Sequence, residues 1–347
     1  MIRLFFAVAC LATSTFAAPK VDVAIAGSKT DKSNLDTPFG IEFDKAGNGY
    51  LVELDGGRVL KLDPSGKLTT LGGIPGEPAS RGKPASAAKA YTGDGGPVAK
   101  ATFNGMHNLA VTPEGDLYLG DTWNNVIRKV DHKTIIVTTF AGTGEKSFQG
   151  DGGPADKATF HGTFCASFSP TFEHLIITDL GNKRIRVIDM KSHRITTLAG
   201  NGKGGRPDDG ALAKDAPLAD PRAAVVDRKG NLYILERSGN ALRVVTPDGR
   251  IKTVAGGSDK SGKSDGDVNA STMNGPKHLC IDHDDNVLIA DAENHLIRKY
   301  DAKRGLLSTL EIKGLARPHG VTVHADGSLY IVDSYNNRLL RVADYSR

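Results

Sequence analysis

Short runs of alternating apolar and polar residues fill the chain from about residue 20 onward, and they return in one order six times. Two copies read NLAVTPEGDLYLGDTWNNVIRKV at residues 108–130 and GVTVHADGSLYIVDSYNNRLLRV at residues 320–342. The others begin at residues 40, 165, 223 and 278. A period of two predicts half-buried β-strands, and a recurring frame indicates a repeat architecture.

Each copy divides into three strands, which we call a, b and c, separated by turn signals. Pairs such as GN or DG separate strands a and b, and NN or GN separates strands b and c. A fourth strand, d, follows in most copies, at residues 68–73, 136–142, 195–200 and 251–256. We therefore predict an all-β fold, a six-bladed β-propeller of four-stranded antiparallel blades.

The last copy has no strand d, because the chain ends at Arg347. The sequence VDVAIAG at residues 21–27 resembles strand d of the other copies. We expect this segment to pair with strand c of the last blade. Such pairing closes the ring and covers a sheet edge that would otherwise be exposed.

The N-terminal residues 1–17 have the layout of a secretory signal peptide. Arg3 precedes an apolar run, and small residues then lead to a cleavage position after Ala17. The run is too short for an ordinary spanning helix, although a retained anchor is the alternative. We expect residues 18–347 to form one domain, exported to the periplasm or outside the cell and not membrane-spanning.

Charge and cysteine content narrow the range of partners. The formal net charge is +4, and no basic stripe with interleaved aromatic residues occurs, so we expect no nucleic-acid partner. We expect a monomer.

Cys165 and Cys280 lie in strand a of non-neighbouring copies. This placement predicts two buried thiols and no disulfide, because a bridge needs Cα atoms within about 7 Å.

The loops between blades carry a second repeated motif. It reads TGDGGPVAKATFNGMHNL at residues 92–109 and QGDGGPADKATFHGTF at residues 149–164. This pattern resembles the bacterial NHL-repeat family over essentially the whole chain that follows the predicted signal peptide. The resemblance implies a six-bladed propeller and leaves the activity open, because propellers host many unrelated functions.

A candidate site lies where strand a begins, near the mouth of the central channel. The residues just before each strand a are mixed and polar, in contrast to the apolar interiors that we expect for these strands: Phe39, His107, Phe164, Arg222, Lys277 and His319. A concave mouth with convergent polar groups is the default binding site. The predicted ligand-binding residues are His107, Asn108, Trp123, Arg222, Lys277, His278, His319 and Tyr335.

Trp123 and Tyr335 belong to this set because they occupy the same place in the b–c loops of their copies. Exposed aromatic side chains stack on sugars or anchor peptides. Packing on a neighbouring loop is the equal alternative.

An acidic residue closes strand b in all six copies: Glu53, Asp121, Asp179, Glu236, Asp291 and Asp333. Because the six acids occupy equivalent positions, they indicate a structural role in each repeat rather than a single catalytic centre. We expect each to accept hydrogen bonds from loop amides or from the Asn and Arg that follow. For Asp94 and Asp151 of the GDGG turns, turn formation is favoured over a calcium site.

Two enzyme families of this fold provide an alternative function. The chain is similar to peptidyl-hydroxyglycine amidating lyase at residues 317–320, RPHG, and in part at residues 104–108. That resemblance implies His107 and His319 as zinc ligands. We leave the cofactor open between none and a divalent metal, zinc or calcium. The third equivalent position holds Arg222, which is no ligand. Gluconolactonase/regucalcin-like propellers hold a cation with carboxylate and amide oxygens, and no comparable set is evident here.

The leading hypothesis is therefore a non-catalytic binding propeller. It would recognise a protein, peptide or glycan on the face that carries the d–a and b–c loops. The alternative is a metal-dependent lyase or lactone hydrolase acting at the channel mouth. A purely structural module in a larger envelope assembly is a third possibility. No GxSxG or phosphate-binding motif supports other catalysis.

Overall fold

Six antiparallel sheets surround a central channel in the computed structural model, which describes residues 19–28, 34–74, 92–258 and 260–345. The innermost strand of each sheet contacts the innermost strands of both neighbours. This arrangement confirms the predicted six-bladed β-propeller. The predicted signal peptide, residues 1–17, lies outside the described residues.

The blades follow one another along the chain. Blade 1 contains β2 (Pro38–Phe43), β3 (Gly49–Glu53), β4 (Val59–Leu62) and β5 (Leu68–Gly72). Blade 2 contains β6 (Gly96–Pro97), β7 (Leu109–Val111), β8 (Leu117–Asp121), β9 (Val126–Val130) and β10 (Ile136–Ala141). Blade 3 contains β11 (Thr163–Phe168), β12 (His174–Asp179), β13 (Arg184–Asp189) and β14 (Ile195–Ala199).

The second half of the ring has the same order. Blade 4 contains β15 (Pro221–Val226), β16 (Leu232–Glu236), β17 (Ala241–Val245) and β18 (Ile251–Ala255). Blade 5 contains β19 (His278–Ile281), β20 (Val287–Asp291), β21 (Leu296–Asp301) and β22 (Leu306–Thr309). Blade 6 contains β23 (Gly320–Val323), β24 (Leu329–Asp333), β25 (Arg338–Ala343) and, from the other end of the chain, β1 (Lys20–Ile25).

Helical structure among the described residues is limited to single 3-10 turns, at Val98–Lys100, Thr122–Asn124, Ala155–Lys157, Ala213–Asp215, Ala292–Asn294 and Ser334–Asn336. In the same ranges, no helix is long and apolar enough to cross a membrane.

The ring closes as the sequence predicts. β1 pairs antiparallel with β25, with Lys20 opposite Ala343 and Val21 opposite Val342. Ile25 is buried in the last blade, whereas Val23 is 53% exposed. β1 therefore covers the outer edge of the hairpin formed by β24 and β25.

Apolar packing lies mainly between neighbouring blades. Val52 and Val59 of blade 1 join Met106 and Leu119 of blade 2 in one buried cluster, and the other interfaces repeat this arrangement. Because each cluster draws on two blades, the blades depend on their neighbours for a core. Cys165 and Cys280 are buried and free.

The acids that end strand b organise the loops. All six are fully buried, and each accepts a hydrogen bond of 2.6–2.8 Å from a backbone N–H that lies 17 positions earlier in the chain, or 18 for Asp179. Four of them also accept from the Asn that follows three positions later. These contacts confirm the architectural interpretation of the acids.

Arginines buried on strand c connect the acids to the d–a loops, at the GDGG turns in blades 2 and 3 and at Asp265 in blade 5. Arg128 lies 2.6 Å from Asp94 and 3.6 Å from Asp121, and Arg186 and Arg298 repeat this geometry in their own blades. The GDGG aspartate thus holds the d–a loop against the outer part of its blade, in addition to forming a turn.

A further contact joins neighbouring blades at the b–c loops. Asn125, Asn240 and Asn337 adopt the left-handed conformation. Their side-chain oxygens accept backbone N–H groups of the next blade at 2.8–3.0 Å. His295 fills this role in blade 5, where its Nδ1 accepts from the Arg317 N–H at 3.0 Å.

Candidate functional site

An arc of aromatic rings runs around one side of the channel mouth. Phe39 of blade 1 stacks on His319 at 4.0 Å between ring centroids and contacts His107 edge-on at 5.2 Å. Trp123 follows His107 at 5.6 Å, and Tyr335 follows His319 at 6.0 Å. We call these five residues the aromatic arc. It spans blades 6, 1 and 2, which are adjacent in the ring.

The two ends of the arc are half-buried, whereas its centre is buried. Trp123 packs on Gly105, where an added Cβ would lie 2.2 Å from the indole and the backbone has φ +67. The Tyr335 ring lies 4.6 Å from the Arg317 guanidinium, and its hydroxyl accepts a hydrogen bond from Arg317. Each end therefore packs on a neighbouring loop and still presents part of its ring to solvent.

Arg222 lies on the opposite side of the mouth, in blade 4. It is only 4% exposed, and its guanidinium carbon is 4.6 Å from the centre of the Phe164 ring. Nη1 donates a long hydrogen bond, 3.5 Å, to the Phe164 carbonyl, and Nε is buried without a partner. Burial and, next, the positive charge of Arg237 lower the pKa of Arg222 to about 9.

Blades 5 and 6 add an ionic cluster beside Arg222. Lys277 lies 3.2 Å from Glu293, which also pairs with Arg317. Burial and the nearby Arg222 charge lower the pKa of Lys277 to about 8. Sequence reasoning missed Glu293. It occupies the same place in its copy as Trp123 and Tyr335, so an alignment of the b–c loops would have identified it.

The two histidines of the arc are held neutral. The His107 Nδ1 lies 2.7 Å from the Gly105 carbonyl and donates to it, which places the lone pair on Nε2. Burial, followed by the charge of Arg222, holds the pKa of His107 well below its usual range. The same two causes lower the pKa of His319.

Asn108 and His278 lie one residue further along their strands and bond to each other across the channel. Asn108 Nδ2 is 2.8 Å from His278 Nε2, and Asn108 Oδ1 accepts the Ala166 N–H at 3.0 Å. Burial lowers the pKa of His278 to about 4, so its ring is neutral. The structure thus places these two predicted ligand-binding residues in a bridge between opposite blades.

A cavity of about 270 Å³ follows the bridge along the channel, lined by strands a. Glu42 lies in its wall and accepts a hydrogen bond of 3.0 Å from the Thr322 hydroxyl. Burial raises the pKa of Glu42 to about 8. The expectation that the interiors of the strands a are apolar is therefore wrong at Glu42 and Thr322. The signal was present, since Glu42 is the polar residue within an otherwise apolar GIEF segment.

Metal-ligating side chains do not cluster at the mouth. In the described ranges, no three His, Cys, Asp or Glu side chains come together in a group that could hold a metal ion. His107 and His319 each contact Phe39, and the described residues supply no third zinc ligand beside them. Calcium would require six to eight oxygen ligands.

Comparisons with known proteins agree with the architecture. The NHL repeat model matches residues 315–341, and the teneurin NHL domain model matches residues 7–131. NHL repeat-containing protein 2 of Gallus gallus is 25% identical over 292 residues, which cover 72% of this chain and 40% of that protein.

The chain carries an NHL repeat on a six-bladed β-propeller and so matches the NHL-repeat propellers.

Other relatives of this NHL propeller carry it as one part of a longer chain. The Arabidopsis thaliana protein SUPPRESSOR OF QUENCHING 1, chloroplastic, is 26% identical over 71% of this chain and 26% of its own length. Teneurin-1 of Gallus gallus is 26% identical over 70% of this chain and 9% of its own length. The NHL propeller thus spans less than half of each of these relatives.

Solved structures share the fold at low sequence identity. A Bacteroides thetaiotaomicron protein of unknown function has a TM-score of 0.66 and 16% identity, covering 94% of this chain and 76% of its own. Virginiamycin B lyase from Staphylococcus aureus has a TM-score of 0.52 and 15% identity, covering 90% and 82%. At such identities the likeness concerns the fold alone.

Proposed function

We propose that this NHL propeller is a non-catalytic binding protein that recognises a protein, peptide or glycan segment at the channel mouth. The aromatic arc is the observation that carries the proposal. Five rings from three adjacent blades lie in one continuous row, and the two end rings, Trp123 and Tyr335, are half-buried and partly open to solvent. Rigid aromatic surfaces of this kind stack on sugar faces or anchor peptide side chains.

The mouth combines this arc with hydrogen-bonding groups on its other side. Arg222 and Lys277 face the arc from blades 4 and 5. A concave surface with an apolar side and a few polar groups is typical of small-ligand and peptide sites. The surrounding blades fix both sides, so a ligand would meet a preformed surface and lose little free energy to ordering of the protein.

Defined ligand collections provide the test. Purified protein comprising residues 18–347 would be screened against a glycan array and a random peptide display library, and the hits titrated by calorimetry. Removing a stacking ring should weaken binding about two- to tenfold, since an aromatic contact contributes roughly 0.5–1.5 kcal/mol. Trp123→Ala and Tyr335→Ala are the test variants.

Phe172→Ala is the matched control, because Phe172 is an aromatic residue that is 41% exposed on the opposite face. Trp123 is the only tryptophan, so its fluorescence also reports ligand arrival at the mouth. Hits that bind both mouth variants as tightly as the wild type would contradict the proposal, as would a loss confined to Phe172→Ala.

A metal-dependent lyase or lactone hydrolase is the second candidate function. It is supported by the neutral state of His107 and His319, because only a neutral imidazole can ligate a metal or accept a proton. Elemental analysis of protein purified without chelators tests it. One equivalent of a divalent metal that disappears in His107→Ala and His319→Ala would replace the binding proposal with the enzymatic one.

A further inference from the structure

Arg222 differs from the other deeply buried arginines of this chain. Arg128, Arg186, Arg243 and Arg298 are fully buried, and each pairs with at least one carboxylate. Arg222 is 96% buried, and no carboxylate of the described ranges forms an ion pair with it. An unpaired buried cation costs several kcal/mol, so this position is unfavourable for folding by itself.

The surrounding charges do not compensate Arg222. Asp220 pairs with Arg237 at 2.7 Å, and Glu293 is shared between Lys277 and Arg317. His107 and His319 are neutral. Within the described part of the mouth, the cations therefore exceed the acids, and the excess lies around Arg222.

The orientation of Arg222 suits a planar anion. The guanidinium lies over the Phe164 ring, 4.6 Å from its centre, and a guanidinium carries its N–H donors in its own plane. Nε has no partner and Nη1 makes only one long bond. A carboxylate offers two oxygens in a plane, which match two such donors at once.

We infer that the mouth binds a carboxylate group of its ligand, with Arg222 as the anchor. This inference rests on the proposed binding function and specifies the ligand: one part lies against the aromatic arc, and a carboxylate reaches across to blade 4. A peptide with a free C-terminus or an acidic side chain and a glycan with an acidic sugar share this chemistry.

Paired probes that differ only in charge test the inference. Calorimetry with millimolar N-acetylphenylalanine and N-acetylphenylalaninamide examines the peptide form, and glucuronate with glucose examines the glycan form. We expect at least one carboxylate probe to bind, and its neutral partner to bind at least about tenfold more weakly, since a charged hydrogen-bonded pair contributes roughly 1.5–3 kcal/mol. The probe that binds identifies the source of the carboxylate.

Variants of Arg222 connect the binding to this side chain. Arg222→Gln should lose the preference for the carboxylate probe, whereas Arg222→Lys should keep part of it. Arg228→Gln is the control, because Arg228 lies in the same blade at the opposite face and is exposed. Because Arg222→Gln removes an uncompensated charge, its melting temperature without ligand should equal or exceed that of the wild type.

Equal binding of charged and neutral probes to the wild-type protein would overturn the inference, whether or not the variants fold. Carboxylate binding that persists unchanged in Arg222→Gln would also overturn it, as would a preference for inorganic phosphate over acetate. The binding function and the carboxylate anchor can fail separately. Library hits that need Trp123 but not Arg222 would refute only the anchor, and carboxylate binding without an effect of Trp123→Ala would refute only the role of the arc.

Discussion

Asn108 of blade 2 and His278 of blade 5 are hydrogen-bonded at 2.8 Å across the centre of the ring, although they are 170 residues apart in the chain. Each is the first residue inward from a mouth residue, His107 or Lys277, and each is followed by a residue that lines the cavity. The bridge therefore lies between the candidate binding site and the cavity, and it ties opposite blades together.

Protonation of His278 should weaken this bridge. Its pKa is about 4 in the folded protein and about 6.5 in the unfolded chain. Between these pH values only the unfolded state binds the proton, so the stabilisation is complete above pH 6.5 and is lost as the pH falls toward 4. In His278→Gln the side-chain amide can still hydrogen-bond to Asn108 and does not titrate.

The measurement for His278 is the free energy of unfolding of wild type and variant from pH 4 to 8. The difference in free energy between the two proteins should be constant above pH 7. Below pH 6.5 the wild type should lose stability relative to the variant, by up to about 1.4 kcal/mol per pH unit. A difference that does not depend on pH would contradict the neutral bridge.

Glu42 should show the opposite pH dependence. Its pKa is about 8 in the fold, compared with an ordinary value of 4.5. Between these values the folded state holds the proton and the unfolded state does not, so its contribution is complete below pH 4.5 and is lost as the pH rises through 8. Glu42→Gln keeps the shape and the acceptor for Thr322.

The free energy of unfolding in urea should therefore rise for Glu42→Gln relative to the wild type between pH 5 and 8. The relative gain should be up to roughly 1 kcal/mol per pH unit. Glu114→Gln, on an exposed turn, should show no such trend. If instead the wild type became more stable than Glu42→Gln as the pH rises, the Glu42 carboxylate would be ionised in the folded protein.

The link from Asp94 through Arg128 to Asp121 should dominate the stability of the d–a loop in blade 2. Arg128→Met leaves Asp121 buried without its cation, and we expect a loss of about 3–5 kcal/mol. Asp94→Asn should cost only about 1 kcal/mol, because the Asp94 side chain is 41% exposed. Denaturant unfolding checks both values, and equal losses would contradict this order.

Ring closure should depend on the buried side of β1. Ile25→Ala removes a buried side chain and should cost about 2–3 kcal/mol, whereas Val23→Ala, at an exposed position, should cost less than about 0.5 kcal/mol. Deletion of residues 20–27 should destabilise the whole ring and promote aggregation, because it exposes the edge of β25. An unchanged melting temperature after the deletion would refute the closure.

The architecture could be predicted from local sequence patterns alone. Strand alternation, turn pairs and the strand-b acid are local patterns repeated six times, so the blade count, the strand order and the role of the acids could be predicted from one chain. Closure of the ring could be predicted as well. The last copy has no strand d of its own, and a segment that resembles strand d stands at the other end of the chain, where it can complete that blade. The residues of the mouth could be named for the same reason, because each precedes a recognisable strand a.

What the mouth residues do depends on contacts that form only in the folded ring. Whether a side chain at the mouth is free or engaged depends on its neighbours from other blades, and these are set by ring geometry and side-chain orientation, which no local pattern encodes. Thus Asn108 and His278 satisfy each other across the channel, Glu293 neutralises Lys277, and Arg222, stacked on Phe164 from 58 residues away, has no acid within reach among the described residues. The physical difference is pairing: a buried polar group that finds a partner supports the fold, and one that does not is available to a ligand.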